Sequence, residues 1–135
     1  MLNFYSKINP DILLFTMISK DKITSNRINL TPSEEYMQAG AKKTEKGDYF
    51  KPHRHLPCKK VANKTQEAWV ILNGKAEGTF FDLDNKIIKK CLLSDGDCVI
   101  IYNGAHSLLI LENDTILYEF KNGPYLGPEK DKEFI

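Results

Sequence analysis

The chain has only three histidines, and all of them stand in glycine-marked segments. His53 and His55 follow Gly47, Glu67 heads the run Ala68-Trp69-Val70-Ile71-Leu72 before Asn73-Gly74, and His106 comes just after Asn103-Gly104. In an extended strand alternate side chains share a face. His53 and His55 would then stand about 6.6 Å apart on one side, a spacing that suits two ligands of one ion. A carboxylate at the head of an apolar strand is costly without a partner, and for Glu67 a metal cation would be such a partner. His106, at the start of a later strand, is expected to face inward as a fourth donor. Three neutral imidazoles and one carboxylate suit Fe, Mn, Ni, Zn or Co rather than calcium. On a metal that accepts five or six ligands, such a set leaves positions open for water, substrate or dioxygen, as metal-assisted catalysis requires. An H-x-H pair alone is weak evidence; the conjunction with Glu67, His106 and the glycines gives it weight.

These residues need strands to hold them. Short apolar runs alternate with turn signals such as Asn73-Gly74, Asp95-Gly96, Asn103-Gly104 and Asn122-Gly123, which tolerate the positive φ of tight turns. The expected strands are 67–72, 75–83, 86–93, 97–102, 106–111 and 115–121. No ten-residue stretch has helical periodicity, so the chain reads as an all-β sandwich or barrel. Upstream, Asp11 to Ile18 reads as a buried strand, or as an edge strand against a partner subunit. Thr31-Pro32-Ser33-Glu34-Glu35 reads as a turn able to cap one helical turn. Residues 36–44 have only a short pattern, with Tyr36, Gln38 and Gly40 on one face and Met37, Ala39 and Ala41 on the other. Leu56 to Gln66 reads as a surface loop beside the site, and the proline-broken tail from Gly123 crosses the outside or mouth of the barrel.

At 135 residues the chain fits one domain, divided into an N-terminal strand-and-turn segment (1–35), a barrel (36–121) and a tail (122–135). A net charge of +1 gives no electrostatic case for nucleic acid or an anionic membrane. The apolar run at Ile12–Ile18 is too short to span a bilayer. Three cysteines without C-x-x-C spacing argue against a disulfide framework and for a reducing compartment, the cytoplasm.

The first segment resembles the cupin motif in its glycine-to-histidine spacing and its Glu67-to-Gly74 spacing. It departs in the eleven residues between His55 and Glu67, an enlarged loop. The second segment resembles the second cupin motif, with Tyr102 in place of its proline, one residue rather than two between Gly104 and His106, and Ile110 in place of its asparagine. More loosely, Arg27 before Thr31-Pro32, Gln38, and the ending from Tyr118 to Tyr125 resemble small single-domain cupins of bacterial surface-polysaccharide biosynthesis. The resemblance implies a cupin-type double-stranded β-helix, the jelly-roll barrel. It also implies a small-molecule substrate, a sugar or sugar nucleotide.

Further candidates follow from facing direction. Trp69 shares a face with Glu67 and is placed to wall a pocket. Glu119 and Tyr118 are candidate proton-moving groups, and Gln38, Tyr36 and Arg27 candidate substrate contacts. Three functions stay open: a metal-dependent cupin enzyme of isomerase, epimerase or oxygenase type, a metal-independent sugar-nucleotide isomerase or epimerase with a histidine base, and a non-catalytic ligand-binding cupin. A homodimer is expected, through the 11–18 strand or a sheet edge.

Overall fold

The computed structural model describes residues 1–135. In chain order its strands are β1 (Leu2–Tyr5), β2 (Leu13–Ile18), β3 (Ile28–Asn29), β4 (Gly40–Ala41), β5 (Glu67–Asn73), β6 (Ala76–Phe81), β7 (Ile87–Leu93), β8 (Cys98–Ile101), β9 (His106–Ile110) and β10 (Ile116–Lys121), followed by one short helix, α1 (Pro128–Asp131). All strand pairings are antiparallel. Five strands make one sheet in the order β1-β2-β8-β5-β10, three make a second in the order β7-β6-β9, and β3 pairs with β4 alone. The all-β expectation holds, and the six strands expected from Glu67 onward are all present, most of them trimmed at the ends.

The two larger sheets share one apolar core, because alternate residues of each strand point to it. Phe15, Trp69, Ile71, Val99 and Ile101 come from the five-stranded sheet; Ala76, Phe80, Cys91 and Leu93 come from the three-stranded one. Phe15 is stacked between Phe4 and Phe80, with ring centroids 4.3 and 4.0 Å apart. The opposite face of the large sheet is covered in part by residues 23–41. Leu30, Met37, Ala39 and Ala41 pack there on Ala68, Ile100 and Leu13. The expected face of Met37, Ala39 and Ala41 is therefore the apolar one.

Several local expectations change. β2 lies between β1 and β8, so both its edges are filled within the chain and it is not free to pair with another subunit. Residues 33–37 form turns and bends without a helix. Lys51 to Val61, with both histidines of the H-x-H pair, has no regular secondary structure. Pro52 and Pro57 bracket the pair, and each removes a backbone donor that a ladder would need. β1 and the two-residue strands β3 and β4 have too little pattern to read from sequence. No helix is long and apolar enough to cross a membrane.

The turn from Tyr102 to Ala105 carries the chain from one sheet to the other and delivers His106. It is pinned on both sides: Asn103 N–H and Nδ2 donate to the carbonyls of Leu14 (3.1 Å) and Leu13 (2.8 Å), and Phe81 N–H donates to Ala105 O (2.9 Å). Gly104 has φ +76°, and a Cβ there would stand 2.4 Å from Phe81 O. Gly104→Ala should therefore cost about 1–3 kcal/mol, measured by urea denaturation. An unchanged midpoint would show that the turn is not held as described.

Candidate active site

Four segments bring titratable side chains to one end of the sandwich. Glu67 opens β5, Lys121 closes β10 directly opposite it, His106 opens β9, and Asp131 ends α1. All four line a cleft of about 790 Å³, together with Trp69 and Glu119. Alternation from the core residues Leu117 and Ile71 sets Glu119 and Lys121 on β10, and Trp69 and Glu67 on β5, toward this side.

Glu67 is only 8% exposed, and its carboxylate is held from several directions. Trp69 Nε1 donates to its Oε1 at 2.5 Å, Lys121 Nζ lies 3.1 Å from Oε2, and His106 Nε2 lies 3.7 Å from Oε1. Burial works to raise its pKa, but the imidazole and the ammonium outweigh burial and hold the carboxyl at about 2, below its ordinary 4.5. Lys121 Nζ also reaches Asp131 Oδ2 at 3.2 Å and Glu119 Oε1 at 3.4 Å. Burial opposes its charge, yet Glu67 and Asp131 raise its pKa above the ordinary lysine value. Asp131 in turn accepts from Thr65 Oγ1 (2.9 Å), and this bond and Lys121 lower its pKa.

His106 stands edge-on to Trp69, ring centroids 5.2 Å apart and planes 73° apart. Its Nδ1 is buried and has no hydrogen-bond partner. A histidine backed by an ionised carboxylate is an arrangement suited to moving a proton, since the carboxylate stabilises the imidazolium that forms.

Neither a family model, nor a curated protein, nor a solved structure matches this chain.

Of the residues singled out in the sequence, Glu67, His106, Trp69 and Glu119 meet in the cleft. His53 and His55 do not join them. They sit on the exposed 51–61 stretch with their rings 5.4 Å apart, and His53 Nδ1 is 2.9 Å from Lys51 O. No three His, Cys, Asp or Glu side chains are grouped so as to hold a metal ion, and the Glu67 charge is already matched by Lys121. As placed, the four donors do not fit one ion. Tyr118 points away from the cleft and is 57% exposed, as it must once its neighbour Glu119 points in. Gln38 donates to the carbonyls of Pro32 and Glu35, Tyr36 Oη donates to Asn63, and Arg27 Nε donates to Asn29. None of these three lines the cleft. Of the loop between His55 and Glu67, only Lys64 and Thr65 reach it.

Lys121 and Asp131 were not legible as site residues, because a lysine at a strand end reads as a solvated charge. The available signal was the run Leu117-Glu119-Lys121, which alternation places on one face. Glu67→Gln should lower stability by about 1–3 kcal/mol at neutral pH. A carboxyl whose folded pKa is depressed contributes stability above its ordinary 4.5 and loses it as pH falls toward about 2. Urea denaturation curves of parent and variant should therefore converge over that window. A gap as wide at pH 2 as at neutral pH would contradict the pairing.

Proposed function

We propose that this chain is a cupin-type β-sandwich enzyme that moves a proton on a small carbohydrate-derived substrate, as an isomerase or epimerase, with His106 as the base. The observation that carries the reading is the His106 imidazole, set beside the ionised Glu67 at the wall of the cleft. A five-stranded and a three-stranded antiparallel sheet enclosing one core support the cupin-type reading, alongside the motif spacings.

In this reading a carbon-bound proton next to a carbonyl passes to the His106 imidazole, and its electron pair moves onto the carbonyl oxygen. The imidazolium lies against Glu67, which stays ionised because Lys121 is beside it. Return of the proton to the former carbonyl carbon, with the hydroxyl proton of the first carbon passing to the enolate oxygen, isomerises the substrate; epimerisation instead takes a proton from an acid on the opposite face of the first carbon. Lys64 bonds Asn103 Oδ1 at 2.6 Å and no carboxylate, so its charge is free to face the developing oxyanion.

The cleft also speaks to the substrate's charge. Lys121 is committed to three carboxylates, and neither Arg27 nor Arg54 lines the cleft. A diphosphate usually recruits forked donors. Lys64 and Lys132 are the cations of the cleft without a carboxylate partner, and neither is a forked donor, which supports an uncharged sugar derivative over a sugar nucleotide.

The expected result is washing of solvent deuterium into a member of a keto- and aldo-sugar panel, read by proton NMR. His106→Gln should slow it by about 10²-fold or more, with circular dichroism showing an intact fold. Undiminished exchange in that variant would overturn the assignment. One transition metal per chain by elemental analysis, lost together with exchange in His53→Ala/His55→Ala, would favour a metal-centred reaction instead.

A further inference from the structure

β10 is an edge strand: it pairs with β5 on one side and with nothing on the other. Its inward side chains, Leu117, Glu119 and Lys121, serve the core and the cleft. Its outward ones are Ile116, Tyr118 and Phe120, which are 54%, 57% and 53% exposed. The Tyr118 and Phe120 rings are 6.0 Å apart. Val70 and Leu72 of β5 extend the same face, with Val70 opposite Tyr118 and Leu72 43% exposed. The segment that covers the neighbouring part of this face packs on Ala68 and Ile100 but not on β10.

An open edge with a row of large apolar side chains is an arrangement that folded proteins rarely leave bare. On the face away from the core the other free edges carry shorter apolar rows: β9 sets Ser107 beside Leu109, β7 sets Lys90 beside Leu92, and the short β1 carries Asn3.

Two copies of one strand can meet antiparallel about a two-fold axis normal to the sheet. Because side chains must stay on a common face, such a register sets one residue opposite itself. Centred on Glu119, it would oppose two carboxylates directly, which is unfavourable. Centred on Leu117 or Phe120, it would leave about half the strand unpaired. Centred on Tyr118, it pairs residues 116 to 120, opposes no like charges and sets Ile116 against the partner's Phe120.

We propose that the occupant of this edge is a second copy of the chain, joined β10 to β10 with Tyr118 on the two-fold axis. The two five-stranded sheets then form one continuous sheet, and the apolar row is shared between them. The clefts remain on the other face, so dimerisation does not depend on the catalytic reading.

Tyr118→Cys tests the register. Opposed residues in antiparallel strands have Cα atoms about 4.5–5.5 Å apart, within disulfide reach. In a Cys58→Ser background, which removes the exposed thiol, oxidation should give a covalent dimer on a non-reducing gel. Leu109→Cys, equally exposed but on β9, should not. Light scattering of the parent should give a mass near twice 15.5 kDa, and Phe120→Glu, folded by circular dichroism, should weaken association at least tenfold. A parent that is monomeric at sub-millimolar concentration would overturn the proposal. So would cross-linking through Leu109→Cys and not Tyr118→Cys.

Discussion

A buried carboxylate must be compensated where it stands, and Glu67 is compensated from three strands at once. Its own strand supplies Trp69, β10 supplies Lys121, and β9 supplies His106. An isolated charge at this depth would cost several kcal/mol, so these partners and the paths of their strands are bound together. Lys121 lies opposite Glu67 because β10 pairs with β5 in that register. A one-residue slip would point the lysine to the other face. The ion pair therefore records the register of the sheet as well as the electrostatics of the cleft.

The same constraint ties the tail and the crossing turn to the site. Asp131 reaches Lys121 and Thr65, which fixes the end of α1 beside the cleft. Gly104 lets the turn pass close to Phe81 O, and the turn in turn sets where His106 emerges. Elements far apart in sequence meet at one carboxylate. The H-x-H pair takes no part in this, on an exposed stretch whose residues do not line the cleft.

Much of the frame was legible in the sequence, because alternation and Asn-Gly or Asp-Gly turns act over a few residues. The strands from Glu67 to Lys121 follow from that local chemistry, and so do the inward directions of Glu67, Trp69 and His106. The short pairing of β3 with β4 depends on contacts across the fold, which no local pattern carries. The reading of His53 and His55 as strand residues failed for a physical reason. Spacing by two is meaningful only where a neighbouring strand fixes the pleat, and the prolines around that pair leave no such ladder. Lys121 escaped notice for the opposite reason: its type suggests solvent, and only the register shows that it faces a buried acid.

The site depends on Glu67 being ionised and paired inside the cleft. Carbon-13 NMR titration of its side-chain carboxyl reads that state directly, with Lys121→Met as the comparison. The structure predicts an apparent pKa near 2 in the parent and a rise in the variant as the ammonium is removed. A Glu67 carboxyl that titrates at its ordinary value of 4.5, and does so equally with and without Lys121, would contradict the account.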